Sequence, residues 1–140
     1  MKNGFTKSFS VELLQGIHDF RTDAIKVALY GAAAAIDDAT ATYTATGEIG
    51  GAGYTPGGAV MGVSAGYPMI EAERGAVRFE PAAWPIASTF SYRKILVYNA
   101  TKANRSILVF DYGSDRGPTN GAHFISTPLS SPPLISQGRG

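Results

Sequence analysis

The chain of 140 residues contains no cysteine. That excludes disulfides, thiolate metal centres and cysteine nucleophiles. It is also poor in charge: Asp, Glu, Lys and Arg make up 16% of the residues, against about a quarter in ordinary soluble domains. The 12 basic and 11 acidic side chains nearly cancel, leaving a formal charge of +1. There is no basic stripe of the kind that neutralises phosphates, so nothing points to nucleic acid. No apolar run approaches the roughly 18 residues of a membrane span. Glu12 and Gln15 interrupt the N-terminal stretch that could otherwise form a signal-peptide core, so no leader and no membrane partner are expected. A surface this weakly charged favours a chain that lives against partners, as in a homo-oligomer.

What is present in excess is glycine. Of the 17 glycines, eight fall between Gly47 and Gly66, and residues 39–70 carry Glu48 as their only charge. Ala-Gly-Tyr recurs at 52–54 and 65–67, each copy followed shortly by proline. Two copies are too few for a repeat architecture. Ile49, Tyr54, Val60, Met61, Val63 and Tyr67 give this segment apolar surface, and its glycines permit close backbone approach. Two readings follow: the segment is an arm that covers a partner, or it folds back onto its own domain.

The rest of the chain reads mainly as strands. Phe9, Leu13, Ile17 and Phe20 recur at helical spacing, so residues 8–20 are a short helix or an apolar arm. Ile25, Val27 and Leu29 alternate with smaller or polar residues, a strand pattern. Residues 32–40 suit one or two helical turns. AVRFE (76–80) alternates like a strand, and Pro81 and Pro85 bracket Trp84 in a non-helical link. TFSYRKILVYN (89–99) and SILVFDY (106–112) flank the polar turn ATKANR and predict a β-hairpin whose second strand is buried on both faces. AHFIST (122–127) predicts a further strand. Pro128, Pro132 and Pro133 exclude a helix or a central strand in the tail. The expectation is a single mainly β domain over residues 1–140, a β-sandwich or jelly roll, with a glycine-rich arm at 39–70 and extended termini, the C-terminal tail running over 128–140.

The most suggestive chemical motif is Gly62-Val63-Ser64-Ala65-Gly66, a G-x-S-x-G pattern with Asp111, Asp115 and His123 downstream. A nucleophile elbow needs a strand before the serine and a helix after it. Here Tyr67-Pro68 follows at once, and proline spoils the first turns of such a helix. Ser64 is therefore expected in a turn, and a small esterase is the weakest reading. His18 and His123 cannot close a zinc site alone, and no spacing with Asp19, Asp23, Asp111 or Asp115 matches a metal motif. Asp111 suits a turn bonded to its own backbone. Asn99-Ala-Thr and Asn104-Arg-Ser match the glycosylation pattern, but without a secretory signal they read as turn residues. No catalytic residue, metal or cofactor is expected.

Two long runs, IKVALYGAAAAIDDATATYTATGEIGGAGYTPGG and VRFEPAAWPIASTFSYRKILVYNATKANRSILVFDYG, resemble small virion structural proteins of tailed bacteriophages. The features that carry the resemblance are Ala28-Leu29-Tyr30, Tyr43 ahead of Thr46-Gly47-Glu48, and the GYTPGG stretch from Gly53 to Gly58. The Trp84 segment, Leu96-Val97-Tyr98-Asn99 and Phe110-Asp111-Tyr112-Gly113 complete it. The resemblance covers roughly residues 10 to 127 and contains no catalytic motif. It implies a capsid decoration (cement) protein that bridges neighbouring major capsid subunits, made in the bacterial cytoplasm and located on the capsid surface; the alternative is a head–tail adaptor or tail ring component. Tyr54, Tyr67, Trp84, Leu129, Leu134 and Ile135 are the residues expected to face a partner, as large apolar or aromatic anchors; for Trp84 the alternative reading is a core residue plugging the end of the sandwich.

Overall fold

Runs of β-branched and aromatic residues set the architecture. The computed structural model describes residues 4–71, 73–126 and 135–137. In chain order the elements are β1 (Gly4–Phe5), α1 (Lys7–Leu14), β2 (Ile25–Tyr30), β3 (Ala59–Val60), β4 (Met69–Glu71), β5 (Arg74–Val77), β6 (Ala82–Ser88), β7 (Tyr92–Asn99), β8 (Arg105–Arg116), β9 (Gly121–Ile125) and β10 (Ile135–Gln137). The protein is mainly β, with a five-stranded antiparallel sheet in the order β1-β8-β7-β2-β3. A three-stranded sheet, β10-β5-β4, and a two-stranded ribbon, β6-β9, accompany it in a sandwich-like arrangement.

The central strands carry continuous apolar stretches, VALY at 27–30, ILVY at 95–98 and ILVF at 107–110, because there the main sheet is buried on both faces. Ile25, Val27, Leu29, Ile95 and Val97 face one core, where Trp84 and Phe90 pack against them. Ala28, Tyr30, Leu96, Tyr98 and Val109 face a second, thinner core closed by Ala34 and Ile36. Each such aliphatic side chain contributes about 1.5–3 kcal/mol on burial. The hairpin expected from 89–99 and 106–112 is β7 paired with β8, and its connection places Ala103 and Asn104 at positive φ.

Several expectations are corrected. The helix expected within 8–20 spans only α1, capped by Thr6, whose hydroxyl accepts from the Phe9 amide. Residues 32–40 form turns without helix: Asp37 accepts from the Ala39 amide and Thr40 from the Asp37 amide, so local side-chain bonds replace the helical ladder. The strand expected at 76–80 is shifted to β5, with Phe79 bridged singly to Val63. The Trp84 segment is a strand, β6, that pairs with β9. Pro85, which has no N–H to donate, falls where the β6–β9 register shifts between Trp84 and Ser88, and prolines are tolerated at such breaks.

Residues 39–70 fold back onto their own domain. The Ile49 amide donates to Leu29 O at 3.0 Å, Met61 to Ile25 O at 2.8 Å, and Thr89 to Ala52 O at 2.9 Å. β3 adds itself to β2 as the edge of the main sheet. Glycine is required at two of these approaches. Gly58 has φ +83°, and a Cβ there would lie 1.7 Å from Val27 O; at Gly53, φ +86°, it would lie 2.1 Å from Ser88 Oγ. The close approach that the glycines permit is to the chain's own β2 and β6.

Candidate interaction surface

Ser64 is held through its backbone: its amide donates to Arg78 O at 2.8 Å and its carbonyl accepts from the Tyr67 amide at 3.1 Å. α1 lies far upstream in sequence, and no helix follows Ser64 among the described residues. His123 is engaged elsewhere, 2.8 Å from the Tyr92 hydroxyl, and Asp115 pairs with Arg93 at 3.1 Å. Asp111 accepts from the Gly113 amide at 2.8 Å, but it does so inside β8, which runs on to Arg116, and not in the turn expected for it. Ser64 and His123 share no hydrogen bond, so the elements of a nucleophile elbow are not assembled. No group of three or more potential metal-ligating side chains occurs among the described residues.

Two of the expected partner-facing residues lie in the interior. Tyr54 is 8% exposed and Trp84 is 4% exposed; their rings stack with centroids 6.5 Å apart and both meet Phe90 edge-on. The aromatic bulk that suits an interface serves the core here. The Tyr54 hydroxyl donates to Glu48 and accepts from the Leu29 amide at 3.0 Å. Glu48 also accepts from the Tyr43 hydroxyl and the Gly57 amide. Burial, and then the hydrogen bond to Glu48, raise the Tyr54 phenol well above the ordinary tyrosine value.

Tyr67 is half-buried. Its hydroxyl donates to Glu71 Oε1 at 2.6 Å and accepts from Arg78 Nε at 2.9 Å. The hydrogen bonds from Tyr67 and Arg78 hold the Glu71 carboxyl below its usual range. Ile135 begins β10, and its backbone pairs with Val77 of β5. Leu129 and Leu134 lie outside the described residues.

A polar knot escapes sequence reasoning altogether. His18 is buried beside α1, and Asn99 is fully buried at the end of β7. The Asn99 carbonyl accepts from the Thr101 and Lys102 amides, so its Nδ2 is left to donate to Asp23 at 2.7 Å and to His18 Nδ1 at 3.0 Å. His18 then carries its proton on Nε2, which donates to Glu12 Oε1 at 3.0 Å. Lys102 bonds both oxygens of Asp23, and Arg105 bonds Glu12 at 2.8 Å. Burial pushes the Asp23 pKa up, but hydrogen bonds from Asn99, the Asp19 amide and Lys102 outweigh it and leave it lowered. Both imidazole nitrogens are consumed, so the knot ties α1 to the β7–β8 turn rather than offering a base.

Among the described residues two groups of exposed apolar side chains stand out, and Val11 and Val60 are exposed besides them. Every exposed residue of the β6–β9 ribbon is apolar: Ala83, Pro85, Ile86, Ala87, Ala122 and Phe124. Ile86 is 83% exposed and Phe124 64%. Alternation turns Trp84 into the core and Ala83 and Pro85 outward; Ile86 and Ala87 are exposed where the ladder breaks between Trp84 and Ser88, with Ala87 at φ +73°. The second group borders a groove of about 340 Å³ whose lining includes Leu13, Phe20, Met69, Ile70, Ala76 and Val77. Leu14, beside it in sequence, is exposed, as are Met69 and Ile70. Among the described residues no helix is long and apolar enough to cross a membrane.

Compared with protein-family models, curated proteins and solved structures, the chain gives no match.

Proposed function

We propose that this chain is a non-enzymatic structural protein of a bacteriophage virion, a capsid decoration (cement) protein that bridges neighbouring major capsid subunits. The observation that carries the reading is the β6–β9 ribbon, whose exposed residues are all apolar and end in Ile86 and Phe124. An apolar sheet face left in water is the signature of a surface that another protein covers. The rest of the molecule supports it as a rigid bearer of that surface: the main sheet is buried on both faces, and the glycine-rich segment is tied down to it.

The mechanism is mechanical. A compact β-domain lies across a joint between shell subunits and removes apolar area from water. Each Å² contributes about 25 cal/mol at most, reduced by the cost of ordering and association. A modest gain at each joint suffices because a shell repeats the joint many times.

The deciding experiment is the stoichiometry of the chain against the major shell protein in purified particles. A copy number comparable to that of the shell protein supports decoration. About six or twelve copies per particle would replace it with a ring-forming adaptor or tail component, which closes by heterologous contacts. Absence from particles would overturn both.

A further inference from the structure

We propose that the outer edge of β9 is a dimerisation strand: it pairs antiparallel with β9 of a second copy of this chain, about a two-fold axis through His123, and joins the two ribbons into one sheet. The pairing goes beyond the decoration reading and stands without it.

Sheet edges are where chains add to one another, and natural edges are blunted by shortness, charge, proline or bulges. Among the described residues, every terminal strand of a sheet but one is blunted in such a way. β1 and β3 have two residues each. β4 and β10 have three, and β4 ends in Glu71. β6 carries Pro85. The stretch of β6 from Trp84 to Ser88 also faces the shorter stretch of β9 from His123 to Gly121, so the extra residues bulge from β6. β9 is the exception. Its residues, Gly121-Ala122-His123-Phe124-Ile125, include no proline and no Asp, Glu, Lys or Arg. It pairs with β6 on one side and with no other described strand. Its outward N–H and C=O groups bond no described backbone group, which leaves them as a template for a matching strand.

The matching strand is β9 itself. A joint sheet that keeps both apolar faces on one side must pair outward residues with outward residues, because the pleat alternates. Of the registers that do so, the one centred on His123 pairs the whole of β9, from Gly121 to Ile125. It sets Phe124 opposite Ala122 on the outer face and Ile125 opposite Gly121 on the inner one. Each large side chain meets a small one, on both faces. The two Phe124 residues become diagonal neighbours about 7–8 Å apart, within reach of each other's rings across the axis. On its own copy Phe124 pairs with Ala83, so nothing bulky crowds the ring from β6.

Charge favours a second copy as well. Identical strands normally bring like charges together, but β9 has none to bring. Burial, and then the positive charge of Arg116, lower the His123 pKa, so the two imidazoles on the axis are neutral at pH 7. The contact is isologous and closed: each β9 edge satisfies the other, and the pair does not grow into a filament. Pairing at the edge leaves the outer face of the ribbons uncovered. The exposed Ile86 and Phe124 of both copies then belong to one continuous apolar surface.

The test uses the purified full chain. Sedimentation velocity over a dilution series should show a monomer–dimer equilibrium. In the dimer the outward amides of β9 should be protected from hydrogen exchange, and dilution should release them. Phe124→Asp sets two carboxylates diagonally across the axis and should weaken the dimer at least about tenfold. Phe124 is exposed, so the melting temperature should hold. Leu14→Asp adds the same charge at an exposed apolar residue of α1 and should leave the dimer intact. A chain that stays monomeric at every concentration refutes the pairing. Protection of the β9 amides in particles alone would refute it too, and would assign the edge to a strand of the shell protein. A dimer that ignores Phe124→Asp, or that yields to Leu14→Asp, places the contact elsewhere and refutes it. A dimer whose β9 amides exchange as fast as those of the monomer is a contact between faces, which refutes strand pairing. No outcome in purified protein touches the decoration reading, which stands or falls on particle stoichiometry.

Discussion

Glu48, the lone charge of residues 39–70, has three partners at once: the Tyr43 hydroxyl, the Tyr54 hydroxyl and the Gly57 amide. The Tyr98 hydroxyl then donates to Gly57 O at 2.6 Å, so one carboxylate organises the whole turn. Glu48→Ala strands these donors and should lower stability by about 2–4 kcal/mol, read as a shift in the urea midpoint. A second residue gives a pH signature. Burial, and then the positive charge of Arg116, lower the His123 pKa. Above the unfolded value of about 6.5 both states are neutral and the full stability is present. As pH falls below that value the unfolded chain takes up the proton first, and stability is lost down through the lowered folded pKa. The carboxylates with lowered values, Asp19, Asp23 and Glu71, titrate below this range. The urea midpoint should therefore decline as pH falls below about 6.5, and His123→Gln, which can still hydrogen-bond the Tyr92 hydroxyl, should flatten that decline. An equal slope in both proteins would place the titrating group elsewhere.

At the scale of elements, the glycine-rich segment behaves as part of the sheet. In the isolated chain the amides of Ile49 and Met61 should be protected from hydrogen exchange, since each donates to β2. Gly58→Ala forces a Cβ onto Val27 O, so β3 must detach. Stability should fall by at least about 2 kcal/mol, and the protection of both amides should fall with it; retained protection would refute the close approach. This segment also marks the limit of what sequence reveals. The β7–β8 hairpin is legible because its long β-branched runs flank a polar turn. The low charge and apolar content of 39–70 are legible too, but composition alone does not distinguish burial against self from burial against a partner. β6 is hidden because Pro81 and Pro85 read as breakers, whereas Pro85 occupies a break in the ladder. The knot of Glu12, His18, Asp23 and Asn99 is invisible because His18 and Asn99 are 81 positions apart and meet only once β2 and β7 have paired.

At the scale of the whole molecule, an aromatic residue's type does not say which way it faces. Trp84 and Phe124 sit on neighbouring pairs of one ribbon, Trp84↔His123 and Ala83↔Phe124, yet the first is buried and the second is open to solvent. The pleat assigns them to opposite faces, so the outward residues, rather than the tryptophan and Tyr54, carry any docking energy. This separates assembly from stability in a way that can be measured. Ile86→Ser with Phe124→Ser removes the two most prominent side chains of the ribbon without opening a core cavity. Surface changes of this kind usually stay within about 0.5 kcal/mol each, so the melting temperature should hardly move. On the proposed decoration role, incorporation into particles should fall at least tenfold, since a hot-spot side chain at the centre of an interface costs about 2 kcal/mol or more when truncated. Trp84→Ser should do the reverse in purified protein: a void beside Tyr54 and Phe90 costs about 3–5 kcal/mol, and any loss of binding should then follow the fraction unfolded. If the double surface variant enters particles as well as the parent chain, the ribbon is not the docking face.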